Sequence, residues 1–135
     1  MVEIEIEYSG DLRTQAIHGP SGVRLQTDAP TDNQGKGLRF SPTDLLASAL
    51  GSCALTIMGI YARKEGIALE GARVRVEKHM QDKPERRVGR LVLEFHLPPG
   101  IPAEHRGRLE KIPALCPVRR SLLPDIPVDT RFVWT

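Results

Sequence analysis

The feature that most constrains this chain is a run of eighteen residues, 45–62, that carries no charged side chain and has Cys53 near its middle. A run of this length could span a bilayer. Small or polar side chains interrupt it, however, at Ser48, Gly51, Ser52, Thr56 and Gly59. Such interruptions favour a helix buried on most sides inside a folded protein. The sequence therefore predicts a long central helix and no membrane association.

Signals for both ends of this helix are present. Ser41 suits the N-cap, and Pro42 suits the first helical position. Asp44 stands three residues after Ser41, where a carboxylate can complete a capping box. Gly66 is a natural stop. Small residues just before Cys53 also predict that another backbone approaches the helix closely there.

Strand patterns flank the helix. Residues 2–8 alternate apolar and acidic side chains, which predicts a half-buried strand. Residues 12–17 and 23–28 flank a turn rich in glycine and proline, so they predict a hairpin, and the long loop 29–40 leads to the helix cap. Further strands are predicted at residues 72–80, 90–97 and 126–134, a second helix at 103–112 that Pro113 should kink or end, and a helical turn that opens at Pro117.

The order strands, long helix, strands, helix and strand indicates an α+β fold. We expect antiparallel sheets packed on the long central helix, in one domain that spans residues 1–135. A single small sheet cannot cover a helix that is apolar around most of its circumference. We therefore expect a second copy of the chain to cover it, in an intertwined homodimer.

Composition and the N-terminal sequence limit the classes of partner and the cellular compartment that we expect. The 135 residues are 40% hydrophobic and 27% charged, with a formal charge of +2, so the strong basic excess typical of nucleic-acid-binding proteins is missing. The N-terminus lacks the basic region and apolar core of a secretory signal, which predicts a cytoplasmic protein. His79, His96 and His105 show no ligand spacing among themselves or with the cysteines, so we predict no metal site and no cofactor.

Two cysteines, Cys53 and Cys116, are the main candidates for chemistry. They stand 63 positions apart, outside the short spacing of redox CxxC pairs. A lone cysteine on a buried helix is usually a small hydrophobic side chain, so the pattern alone favours a packing role for Cys53. Local charge favours Cys116 as the reactive thiol, because a helix start with Arg119 and Arg120 lowers a thiol pKa.

The motif SPTDLLASALGSC at residues 41–53, followed far downstream by CPV at 116–118, resembles the OsmC/Ohr family of osmotically inducible and organic hydroperoxide resistance proteins. The resemblance extends over nearly the whole chain. It implies an α+β homodimer with sites at the subunit interface and thiol peroxidase chemistry on organic hydroperoxides. Cys53 would attack the peroxide and become a sulfenic acid, and Cys116 would resolve it as a disulfide that a dithiol or other thiol reductant restores. Cys116 stays the alternative nucleophile.

The resemblance also implies an arginine that stabilises the Cys53 thiolate and the departing alkoxide. Before the helix the candidates are Arg13, Arg24 and Arg39; Arg13 is the nearest match, and Arg24 is the alternative. Hydroperoxide resistance members carry a glutamate that orients the arginine, but the matching residue here is Thr43, which cannot form an ion pair. The chain thus resembles the broader OsmC-like branch more than the peroxidases.

Two residues beside these candidates have a functional and a structural interpretation. Asp44, next to Thr43, is expected to cap the helix. His18, at the hairpin turn, is either a turn residue or a proton donor to the leaving oxygen.

Two functions from different classes remain open. The first is an organic hydroperoxide peroxidase. The second is a stress-related protein that binds a lipid-like or other small ligand in the same apolar pocket, with cysteines that are structural or oxidise slowly.

Overall fold

Six strands and three α-helices follow one another in the order that the sequence predicted, in a computed structural model that describes residues 1–135. The chain divides into two units, Met1–Leu46 and Ala47–Thr135. Each unit holds one three-stranded sheet, which confirms the α+β class. The elements are β1 (Ile4–Gly10), β2 (Arg13–His18), β3 (Arg24–Asp28), a 3-10 turn (Thr31–Asn33), α1 (Pro42–Glu65), β4 (Arg73–Gln81), β5 (Arg87–Leu97), α2 (Ala103–Leu115), α3 (Pro117–Ser121) and β6 (Val128–Trp134).

The first unit is built on an antiparallel sheet in the order β1-β2-β3, and it confirms the predicted hairpin. Ile6 pairs with Ala16 and Ala16 pairs with Leu25, so these apolar side chains share one face. The neighbouring register positions place polar side chains on the opposite face. That polar face carries Arg13, Gln15, Arg24, Gln26 and Asp28.

Helix α1 begins through the predicted capping box. The Asp44 amide donates to Ser41 Oγ at 3.1 Å, and the Ser41 amide donates to Asp44 Oδ2 at 2.9 Å. These reciprocal bonds satisfy two amides near the helix start, including one that the first turn would leave unpaired. Gly66, with φ of 69°, follows the last helical residue, as the sequence predicted.

The single chain buries α1 along one side. The buried residues are Ala47, Leu50, Gly51, Ala54, Met58 and Ala62. A stripe that includes Ala49, Ser52, Thr56 and Ile60 stays exposed, so the expected burial on most sides is not reached within one chain. By length and composition α1 could cross a membrane, with a mean hydropathy of 1.7, but a core helix of a soluble protein passes the same test.

Gly51 lies where α1 packs against two valines of β4. A Cβ at this position would stand 2.9 Å from Val76 Cγ2 and 3.1 Å from Val74 Cγ1. Such distances are shorter than ordinary van der Waals contacts, so only glycine fits without displacing the valines. β4 thus packs against α1 just before Cys53, but the close contact there is with valine side chains of the strand and not, as the sequence predicted, with its backbone.

The second sheet has the order β4-β5-β6, and one of its pairs departs from the antiparallel arrangement that the sequence predicted. β4 is antiparallel to β5, whereas β6 runs parallel to it. A parallel pair needs a crossover connection, and α2 and α3 supply it between the two strands. Phe95 on β5 is fully buried and its ring stacks on Phe132 of β6, with centroids 4.9 Å apart.

The connection between α2 and α3 brings Cys116 to the end of a helix. Pro113 does not end α2, which continues two residues farther to Leu115. A proline in the last turn removes only one helical hydrogen bond, so the helix can continue past it. The short helix α3 begins at Pro117, as predicted, with Cys116 as its N-cap.

Candidate functional site

The second unit brings the thiols of Cys53, on α1, and Cys116 close enough to interact, although 63 positions of sequence separate them. Both cysteines are free. Cys116 is fully buried, whereas Cys53 is half-buried. Cys53 is therefore the sulfur that a molecule from solvent reaches first, and Cys116 is the sulfur behind it.

Backbone hydrogen bonds hold Cys116 in place. The Arg119 amide donates to Cys116 Sγ at 3.4 Å, and the Arg120 amide donates to the Cys116 carbonyl at 3.1 Å. The Arg119 guanidinium extends elsewhere, since its Nη2 donates to the Ile126 carbonyl at 3.3 Å. Backbone amides at the start of α3 thus hold the Cys116 sulfur, and the Arg119 side chain holds the loop that contains Ile126.

Burial raises the pKa of the Cys116 thiol above its usual value. The neighbouring Cys53 side chain raises this pKa further, and the amides of Arg119 and Val118 lower it by less than these effects raise it. The sequence-based prediction of a lowered pKa at Cys116 is therefore wrong. Local charge favoured the thiolate, but complete removal from water disfavours it more strongly.

We expect Cys116 to be a poor nucleophile at neutral pH. In Cys53→Ala, the alkylation rate of Cys116 by iodoacetamide should reach half its maximum only above pH 9.0, the ordinary value for a thiol, because only the thiolate reacts and burial keeps the thiol protonated. Mass spectrometry of the alkylated protein at increasing pH measures this profile. The same protein unfolded in urea is the control and should show the ordinary profile; a half-maximum below pH 9.0 in the folded protein would contradict the expectation.

Arg13, the nearest family match, is held in the first unit by a carboxylate that the sequence analysis missed. Arg13 Nε donates to Asp28 Oδ1 at 3.4 Å, and the Leu38 amide donates to Asp28 Oδ2 at 3.0 Å. Burial acts to raise the pKa of Asp28, but these two donors outweigh it and hold that pKa below its usual value. The hairpin register contained the signal, because it pairs Arg13 directly with Asp28.

The other two arginine candidates hydrogen-bond to neutral amides. Arg24 is exposed, and its Nη1 donates to Gln15 Oε1 at 3.4 Å. Arg39 Nε donates to Gln26 Oε1 at 2.7 Å. Arg13 therefore differs from both, because its partner is a buried carboxylate.

The remaining candidates make local contacts in the first unit. His18 Nδ1 lies 2.6 Å from Ser21 Oγ within the hairpin turn, which supports the interpretation as a turn residue. Thr43 Oγ1 lies 3.2 Å from Ser41 Oγ, and Asp44 completes the capping box. No cluster of three or more histidine, cysteine, aspartate or glutamate side chains has an arrangement that could hold a metal ion.

A family model and a similar solved structure relate this chain to the same group of proteins. The model of the family described as OsmC-like protein matches residues 34–131. A candidate osmotic stress induced and detoxification response protein from Psychrobacter arcticus 273-4 is 40% identical, with a TM-score of 0.89, over 100% of this chain and 96% of that chain. No curated protein sequence matches this chain.

More distant solved structures share the fold. An organic hydroperoxide resistance protein from Elizabethkingia anophelis has a TM-score of 0.78 at 13% identity, over 100% of this chain and 96% of that chain. The organic hydroperoxide resistance protein OsmC from Legionella pneumophila has a TM-score of 0.74 at 17% identity, with the same coverage. At these identities the likeness extends to the fold alone.

Proposed function

Because the chain belongs to the OsmC-like family, we propose that it is a thiol-dependent peroxidase that reduces organic hydroperoxides. The observation that carries this proposal is the neighbouring pair of free thiols, with the half-buried Cys53 in front of the fully buried Cys116. A peroxidase with two thiols needs one sulfur that the substrate can reach and a second sulfur close behind it. The second sulfur captures the oxidised first one before further oxidation.

The proposed reaction consumes two thiols for each hydroperoxide. The Cys53 thiolate attacks a peroxide oxygen, so that an S–O bond forms, the O–O bond breaks, and the departing alkoxide takes a proton to become an alcohol. The resulting sulfenic acid reacts with the Cys116 thiol, which forms the disulfide and releases water. A dithiol reductant then reduces the disulfide to two thiols and is itself oxidised.

Arg13 is proposed to supply the positive charge that stabilises the Cys53 thiolate and the alkoxide, with Arg24 as the alternative. This assignment rests on the family motif and is supported by the fixed ion pair that Arg13 makes. The alternative to a turn role for His18 is that it donates the proton to the leaving oxygen. Thr43 and Asp44 support the start of α1. We propose that residues 1–135 form one functional domain and that the protein acts in the cytoplasm. The proposed reaction uses no cofactor, and neither nucleic acid nor a membrane is a proposed partner.

Counting free thiols tests the proposal. Reduced protein treated with cumene hydroperoxide should lose two thiols per chain rapidly, lose them more slowly with hydrogen peroxide, and recover both with dithiothreitol. The matched control is the same protein in urea, whose thiols should react slowly and without preference for the organic peroxide. Folded protein that reacts no faster than the unfolded control would rule out the peroxidase.

A second candidate function is the binding of a lipid-like or other small ligand without efficient peroxidase activity. The observation that favours it is Thr43, which stands where hydroperoxide resistance members carry a glutamate. Under this function the thiols would survive brief exposure to organic peroxide, while an apolar ligand would raise the melting temperature of the protein. The thiol count and a melting curve with added fatty acid therefore separate the two functions.

We also propose that the protein is a homodimer. One face of the first sheet, which we name the apolar sheet face, carries the exposed side chains of Ile4, Ile6, Tyr8 and Leu25. In the single chain their exposed fractions are 59%, 64%, 64% and 46%. A contiguous apolar surface of this kind marks an interaction site, and a second copy of the chain is its proposed partner.

Replacement of one residue of the apolar sheet face should break the dimer. Wild-type protein is expected to show twice the chain mass by light scattering, whereas Ile6→Glu should show the mass of one chain or unfold, because a carboxylate in an apolar interface stays unpaired. Glu5→Gln, on the same strand but on its opposite face, is the matched control and should remain dimeric. A wild-type protein with the mass of one chain would contradict the proposal.

A further inference from the structure

Both carboxylate oxygens of Asp28 accept hydrogen bonds. One oxygen accepts from Arg13 Nε and the other from the Leu38 amide, at 3.4 and 3.0 Å. Its own amide donates to the Phe40 carbonyl at 3.1 Å. A single residue at the end of β3 therefore bonds both to an arginine on β2 and to the far end of the loop 29–40 that leads to helix α1.

Asp28 and Arg13 differ in burial, and this difference determines the role of each. The Asp28 side chain has an exposed fraction of 0%, whereas that of Arg13 is 28%. A carboxylate without access to water is costly unless it is bonded, so Asp28 holds Arg13 more firmly than a surface ion pair would. Arg13 in turn lines a cavity of about 250 Å³ and stays within reach of a small molecule. The buried Asp28 therefore holds Arg13 in place, and the partly exposed Arg13 guanidinium is the group that can contact a small molecule.

The positive charges around the cavity explain why a carboxylate is needed at Asp28. Arg39 lines the same cavity as Arg13, and its charge also contributes to the low pKa of Asp28. Two guanidinium groups around one cavity repel each other, and the Asp28 carboxylate, whose pKa both arginines lower, offsets that repulsion. Thr43 cannot supply this charge, because its hydroxyl has none at any ordinary pH.

We infer that Asp28 is a positioning residue, which fixes the Arg13 side chain and couples it to the loop 29–40. The inference deepens the proposed peroxidase function and rests on it, since Arg13 is there the cation of the reaction. Asp28 does not touch the peroxide; it determines where the charge of Arg13 stands. The rate of peroxide reduction should therefore depend on Asp28 only while Arg13 is present.

Two readouts test Asp28→Asn, which keeps the size of the side chain and an acceptor for the Leu38 amide but removes the charge. The first is the hydrogen exchange of the Arg13 Nε–H in a ¹⁵N NMR spectrum, which should become about tenfold faster or more because its acceptor is weakened. The second is the rate constant for cumene hydroperoxide, which should fall about 10- to 100-fold because a misplaced group loses its effect. In an Arg13→Ala background, Asp28→Asn should cause no further loss of rate.

Asp125→Asn is the matched control. Asp125 also pairs with an arginine, Arg87, at 3.2 Å, but its side chain is 71% exposed and lies outside the cavity that Arg13 lines. Its replacement should change neither the Nε–H exchange nor the rate. Asp28→Glu keeps the charge and should retain more of the rate than Asp28→Asn, which covers the case in which the amide variant folds poorly by its circular dichroism spectrum.

The two readouts separate failure of the inference from failure of the function. Unchanged Nε–H exchange in Asp28→Asn, or equal further loss of rate without Arg13, would overturn the positioning role. A wild-type protein that does not reduce the peroxide would overturn the proposed function and the rate effect with it. The Nε–H exchange needs no peroxide, so it still decides whether Asp28 holds Arg13.

Discussion

Cys53→Ser is expected to lower the rate of reaction with cumene hydroperoxide on the order of 10³-fold or more, because a serine hydroxyl is a far weaker nucleophile than a thiolate. Cys116→Ser should leave this first step nearly intact. The difference follows from burial: Cys53 is half-buried and stands in front of Cys116, which has no access to solvent. The two conservative replacements are each other's control, since they remove the same atom from two touching positions.

Stopped-flow measurements with one equivalent of peroxide and mass spectrometry of the products check this expectation. Wild-type protein should end as the disulfide. Cys116→Ser should stop at a sulfenic acid on Cys53, trapped as its dimedone adduct, and should proceed to the sulfinic acid with excess peroxide because no second thiol captures it.

Two outcomes would contradict the assignment of roles. A dimedone adduct on Cys116 in Cys53→Ser, formed at the wild-type rate, would make Cys116 the nucleophile. Slow oxidation of wild type and both variants at equal rates would contradict the proposed peroxidase function and favour the ligand-binding function.

Gly51→Leu is expected to lower the free energy of unfolding by about 3 kcal/mol or more, because side-chain atoms would have to enter space that Val76 and Val74 already fill. The matched change Gly59→Leu lies eight residues farther along the same helix, where an added Cβ meets no atom within 4 Å. There the better helix propensity of leucine should raise the free energy of unfolding by up to about 1 kcal/mol. Opposite signs at two glycines of one helix are the expected result.

Urea unfolding at one fixed protein concentration measures both variants, since dissociation of a dimer would make the midpoint depend on concentration. Gly51→Ala, with a smaller loss than Gly51→Leu, would show that the cost grows with side-chain volume. A loss at Gly59 as large as at Gly51 would contradict the explanation by contact with β4.

Local patterns in the sequence determined most of the secondary structure. Alternation at residues 2–8 predicted β1, which the structure shifts to Ile4–Gly10, and Ser41 with Asp44 predicted the start of α1. These predictions are confirmed because the interactions that decide them, a capping box or a two-residue period, lie within a few residues of one another.

The sequence by itself therefore determined the strands, the helices and the presence of two candidate thiols, while the tertiary structure decided their environments. Residues beside Cys116 predicted a lowered pKa, but packing buries the thiol against Cys53 and raises that pKa. Asp28 was missed in the same way, because its partner Arg13 lies fifteen positions away and the loop bonded to it folds back from Leu38. Burial and charge depend on which distant segments meet, and a linear pattern contains only the neighbours along the chain.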